Sequence, residues 1–213
     1  AFIEEWRKFC SKNNLDLEKI LSCIRQRKTH NNIMRSGIGV GGYCLTKDPL
    51  FAQASSSQIL GKKFNFPLSS KAVEVNQKMT SNVMSEIKDK FKKKILGKKV
   101  LLIGVSYRED TNDTRHSPAE GVHDFFRKMG CRLKFYDPGV NYWEYTDNHS
   151  IEKKYLDDFD IYVHLIKHQI FEKLNIPYKK KSLILDLNHT LGSKKRFKIV
   201  KSKNYESYFI GSK

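Results

Sequence analysis

The chain is short of acid: 23 Asp and Glu stand against 40 Lys and Arg, a formal charge of +17 over 213 residues. Its four cysteines, Cys10, Cys23, Cys44 and Cys131, form no CxxC pair and no compact framework. That excludes a disulfide scaffold and predicts reduced thiols in a cytoplasmic protein. No apolar run reaches membrane-spanning length, and the first residues carry no signal-peptide pattern. His164 and His168 share no metal-ligand spacing with the cysteines, so both read as structural and no metal is expected. The lysines are scattered instead of packed in a block, which speaks against nucleic acid as the partner. An anionic small substrate gives the charge a use, and a plain solvated surface accounts for it as well.

What is present is core material. The chain is 39% hydrophobic, with 13 Phe and 10 Tyr, enough to exclude disorder and fill two small domains. It enters a helical pattern directly at Ala1, which suggests a segment cut from inside a longer protein.

Apolar spacing predicts two helices within residues 1–26, joined at Asn13-Asn14, with Asp16 capping the second. A helix starts at Pro49-Leu50, and the serines at 55–57 and residues 61–67 read as loop. Residues 70–94 form a long amphipathic helix through Ala72, Val75, Met79, Val83, Ile87 and Phe91. The expected division is a helical region over 1–95 and an α/β domain over 96–213. In the second part, strands are expected at 98–105, 131–136, 161–166 and 182–187, with further strand at 197–200 and 205–210. Helices are expected after Ser117-Pro118, at 151–159 and at 169–174. This alternation implies a doubly wound parallel sheet.

The chemistry concentrates in Gly37-Ile38-Gly39-Val40-Gly41-Gly42-Tyr43-Cys44-Leu45-Thr46-Lys47-Asp48. Its G-x-G-x-x-G spacing matches the dinucleotide fingerprint, but residues 29–36 are not the buried strand which that loop requires. The better reading is a nucleophile, Cys44. Bare backbone amides and Lys47 favour its thiolate, and Asp48, one turn on, can orient water or take a proton. An inert, buried cysteine is the competing reading. Residues 107–115 follow the first strand, at the sheet edge where ligands collect. Arg108 and Arg115 beside a helix N-terminus at Ser117 suit a phosphate, and equally a charged surface loop.

Together these segments resemble the UDP-glucose/GDP-mannose dehydrogenase family, in particular its UDP-N-acetyl-mannosamine dehydrogenase-like branch. The resemblance rests on Gly37 to Asp48, on Ala72-Val73-Glu74-Val75-Asn76, and on Leu102 to Pro118 with its Asp113-Thr114-Arg115-His116-Ser117-Pro118. Tyr136-Asp137-Pro138 and Tyr208-Phe209-Ile210-Gly211 also fit.

The resemblance implies an N-terminal helical segment from a central, dimerising region, followed by a Rossmann-like nucleotide-sugar-binding domain. The family's NAD domain would lie upstream of Ala1, and the family's catalytic lysine and asparagine on the helix just upstream of Ala1. The whole enzyme would oxidise the C6 alcohol of a UDP-sugar to a carboxylate with NAD, through a thioester on Cys44 assisted by Asp48. Lys47 and Arg115 would reach toward NAD. Lys28, His30, Asn32, Gly41, Tyr107 and Arg108 would meet the substrate, and a homodimer through the central helices is expected. The isolated chain would be inactive, and a non-catalytic nucleotide-sugar-binding module is the alternative. Three departures from the family pattern stand out: Thr46 replaces a proline, His30 an arginine and Asn188 a basic residue.

Overall fold

The computed structural model describes residues 1–202 and 204–212. Helices α1 (Phe2–Lys12) and α2 (Leu17–Ile24) meet through Cys10, Leu17 and Leu21, and the Asp16 side chain caps α2 at the Lys19 N–H. Arg7 on α1 is 1% exposed, and its guanidinium is matched by Glu4 at 2.7 Å and by Glu86 at 2.9 Å.

Helix α3 (Phe51–Gln58) runs through the serines expected to be loop. They are tolerated because Ser57 bonds back to Ala54 O at 3.1 Å, while Ser56 Oγ accepts from Phe64 N–H at 3.1 Å and binds the Lys62 carbonyl. Helix α4 (Pro67–Ile95) is a single run of 29 residues, about 43 Å long. Pro67 opens it where a missing N–H is harmless. Met79, Val83, Ile87 and Phe91 are buried at the expected spacing, joined by Val73, Met84 and Ile95, whereas Ala72 and Val75 are only half-buried.

The remainder is an α/β layer. Strand β1 (Lys99–Ile103) leads through α5 (Pro118–Lys128) to β2 (Arg132–Tyr136). A small hairpin of β3 (Tyr142–Trp143) and β4 (Asn148–His149) follows, then β5 (Ile161–His164), α6 (Ile170–Lys173), β6 (Leu183–Asp186), α7 (Ser193–Lys201) and β7 (Glu206–Phe209). The sheet order is β2-β1-β5-β6-β7 and every pairing is parallel. The result is the expected Rossmann-like doubly wound domain behind N-terminal helices, its order reversing between β1 and β5.

Two further expectations fail. Residues 151–159 form one short 3-10 turn (Lys153–Tyr155) and not a helix. Ile151 gives its N–H to Phe135 O at 3.0 Å, and buried Leu156 and Phe159 pin the segment as it crosses back under the sheet. Residues 197–200 are helix α7 and not strand, because β6 and β7 are parallel and need a crossover between them. Among the described residues no helix is long and apolar enough to cross a membrane.

Candidate active site

The glycine run lies in the seam between α4 and the α/β layer. On the helix side, Thr80 Oγ1 donates to Ile38 O at 2.7 Å. The Asn76 amide accepts from Val40 N–H at 2.7 Å and donates to Val40 O at 2.8 Å. On the sheet side, Gly42 N–H donates to Arg115 O at 3.2 Å. Gly41 and Gly42 are glycines because there is no room for a side chain. A Cβ on Gly41 would stand 2.6 Å from His116 O, and one on Gly42, whose φ is +82°, would meet the Tyr107 ring at 2.7 Å.

Cys44 follows, exposed, at the head of a tight turn whose Lys47 and Asp48 N–H groups both donate to its carbonyl. Thr46 explains its own departure from proline: its hydroxyl donates to Gly42 O at 2.9 Å and to Tyr43 O at 3.1 Å, closing the turn by bonding instead of by ring restriction. Lys47 Nζ lies 2.6 Å from Asp48 Oδ1 and over the Tyr43 and Phe51 rings at 4.3 and 4.5 Å. The Asp48 hydrogen bond raises the Lys47 pKa and keeps it an ammonium. Arg115 also lies over Tyr43, 6.0 Å from its ring, and is doubly bonded to Asp113, whose carboxyl it holds below the usual range.

The structure thus gathers Gly41, Cys44, Lys47, Asp48, Tyr107 and Arg115 into one neighbourhood, with exposed Arg108 next to Tyr107. It does not bring in Lys28, His30 or Asn32. Among the described residues no hydrogen bond, ion pair or ring contact joins them to the cysteine turn, and His30 bonds to its neighbour Thr29.

His168 is structural, as expected, but its pairing and that of several other supporting residues were not legible in the sequence. Asp137, at the end of β2, is buried and accepts from Val105 N–H at 2.7 Å, Ser106 N–H at 3.1 Å and Gly139 N–H at 2.9 Å. His168 Nδ1 accepts from Asp110 N–H at 3.0 Å, which leaves Nε2–H to donate to Asp137 at 3.2 Å. Burial opposes ionisation of Asp137, but these donors outweigh it and hold the carboxyl below its usual range. This pair fixes the backbone of residues 104–110, the segment carrying Tyr107 and Arg108. A buried acid just past a strand end is the signal that could have revealed it. A second chain of contacts links Glu18 to His189 at 3.2 Å, His189 to Arg196 at 3.0 Å and Arg196 to Asp186 at 2.8 Å, tying α2 to β6.

The reversed parallel sheet, with the cysteine turn on its flank, defines a Rossmann-like α/β domain joined to a helical segment. Sequence comparison supplies the family. The profile of the UDP-glucose/GDP-mannose dehydrogenase family, central domain, matches residues 1–78, and that of the same family's UDP binding domain matches residues 101–193. The UDP-N-acetyl-D-mannosamine dehydrogenase of Methanococcus vannielii is 32% identical over 211 residues, covering 93% of this chain and 47% of its own length. That of Methanocaldococcus jannaschii is 36% identical over 179 residues, covering 79% of this chain and 39% of its own. The chain belongs to the UDP-glucose/GDP-mannose dehydrogenase family and is UDP-N-acetyl-D-mannosamine dehydrogenase-like. It spans about half the length of the relatives it matches.

The fold is shared with two solved structures, each aligned over 99% of this chain and 47% of its own. The NDP-N-acetyl-D-galactosaminuronic acid dehydrogenase of Methanosarcina mazei Go1 superposes with a TM-score of 0.80 at 21% identity. The UDP-D-ManNAc dehydrogenase of Pyrococcus horikoshii superposes with 0.73 at 23% identity.

Proposed function

We propose that this chain carries the nucleophile-bearing wall of an NAD-dependent nucleotide-sugar 6-dehydrogenase of UDP-N-acetylhexosamine or UDP-glucose type. The observation that carries the reading is the placement of exposed Cys44 on a turn beside Lys47 and Asp48, against the segment that bears Tyr107, Arg108 and Arg115. Two cations within 6.0 Å of the Tyr43 ring suit the pyrophosphate of a dinucleotide, which Lys47 and Arg115 would hold. When bound, that cofactor supplies the hydride acceptor. Cys44 adds its thiolate to the C6 aldehyde carbonyl and later leaves as thiolate when water attacks the acyl stage. Asp48 takes the proton of that water. Tyr107, Arg108 and the Gly41 backbone meet the nucleotide sugar.

A homodimer through the central helices belongs to the same reading. Supporting it is the exposed apolar ladder of α1, where Phe2, Trp6 and Phe9 stack edge to face at 6.3 and 5.8 Å. In that assembly Lys28, His30 and Asn32 serve a substrate held by the second copy.

The test is UDP titration by calorimetry together with thiol labelling near neutral pH, with exposed Cys23 as the internal reference. The reading expects UDP binding that Arg108→Ala weakens, and Cys44 labelled faster than Cys23. A folded chain that binds UDP but labels Cys44 no faster than Cys23 favours a non-catalytic binding module.

A further inference from the structure

Asn76 and Thr80 lie one turn apart on α4, so their side chains project from the same face of the helix. Thr80 binds the carbonyl of Ile38, and Asn76 pairs with both backbone groups of Val40. A planar amide is the side-chain group of this length that offers a donor and an acceptor at once, so it takes the place of a neighbouring strand. An ionised aspartate cannot donate, and glutamine is one methylene longer. Gly39, between the two gripped residues, has φ +118°, and a Cβ there would stand 3.4 Å from Asn76 O, so the chain lies close against the helix.

Beyond the grip, the next fixed point is Gly42 N–H on Arg115 O, with Gly41 between them and Cys44 two residues past it. The cysteine turn is therefore registered at one end to α4 and at the other to the α/β layer. Val40 is half exposed, so its amide and carbonyl can be satisfied by water if the grip is lost. The two bonds add little to global stability but set where the backbone runs.

We infer that Asn76, assisted by Thr80, is a positioning residue that sets Cys44 relative to the sheet edge. This rests on the reading of Cys44 as nucleophile.

The test uses the chain itself, with hydrogen exchange of the Val40 amide and iodoacetamide labelling of Cys44 relative to Cys23. In Asn76→Ala, Val40 protection falls at least about fivefold, the Cys44-to-Cys23 ratio shifts at least about threefold, and the urea midpoint barely moves. Asn76→Asp restores Val40 protection at low pH, where a protonated carboxyl both donates and accepts, and loses it as that carboxyl ionises. Thr80→Ser retains the bond to Ile38 and behaves as wild type. Unchanged Val40 exchange in Asn76→Ala overturns the inference, as does a loosened Val40 with an unchanged labelling ratio. A wild-type Cys44 no more reactive than Cys23 counts instead against the nucleophile assignment, and Val40 exchange still decides whether the grip exists.

Discussion

A Cβ on Gly37 would stand 2.5 Å from the side-chain oxygen of Asn188, whereas one on Gly41 would stand 2.6 Å from the main-chain oxygen of His116 and 2.9 Å from Tyr107 Cβ. The two collisions differ in what must yield. Asn188 can rotate away, so Gly37→Ala is expected to cost less than about 1 kcal/mol. Gly41→Ala must push backbone and a proline ring apart, at about 1–3 kcal/mol. Urea unfolding of both variants ranks them, and equal losses would show that Asn188 is as immobile as the backbone.

Glu4 and Arg7 are both buried in one ion pair, and Arg7 also reaches Glu86. Removing Glu4 takes two charge-assisted bonds from the buried guanidinium and leaves the partly exposed Glu86 as its carboxylate partner. Glu4→Ala is expected to destabilise by about 1–3 kcal/mol. A thermal melt within a degree or two of wild type would refute this.

His164 is fully buried, and burial pushes its pKa down to about 4. In the unfolded chain it titrates near 6.5, so the unfolded state takes up the proton first. The stability that neutral His164 contributes is complete above about pH 6.5 and is lost as the pH falls from there toward 4. The loss is on the order of 3 kcal/mol. His164→Gln removes the titrating group, so urea midpoints at about pH 7 and 4.5 should differ less in the variant than in wild type.

Asp137→Asn places an amide nitrogen or a weaker acceptor where a carboxylate now receives Val105, Ser106 and His168. The cost expected is about 1–3 kcal/mol, felt most in residues 104–110. The proposed consequence is UDP affinity reduced by about tenfold, measured by calorimetry. Destabilisation with unchanged UDP affinity would separate that loop from the ligand.

The parallel sheet and the long helix were legible because their signals are periodic: Val100 to Ile103 is a continuous apolar run, and Val83, Ile87 and Phe91 repeat at one helix face. The cysteine turn was legible because glycine has so few uses in such density. What escaped were single polar residues whose partners are distant in sequence. Asp137 meets His168 across 31 positions and Asn76 meets Val40 across 36, and no local pattern encodes such pairs. The serines of α3 and the lysine-rich α7 were misread for a different reason. Local propensity was weak, and backbone bonding by Ser56 and Ser57 in one case, and the crossover between β6 and β7 in the other, decided the outcome.

The closeness of Gly41 and Gly42 to Tyr107 and His116 limits how this protein can be recombined. Its two family segments meet through bare backbone with less than a methyl group to spare. A chimaera that took residues 1–78 from one relative and residues 101–193 from another would inherit a mismatched seam unless both carried the same shapes at these four positions. The helical segment and the sheet domain are therefore expected to exchange only as a matched pair, because the gap beside the cysteine turn has no slack.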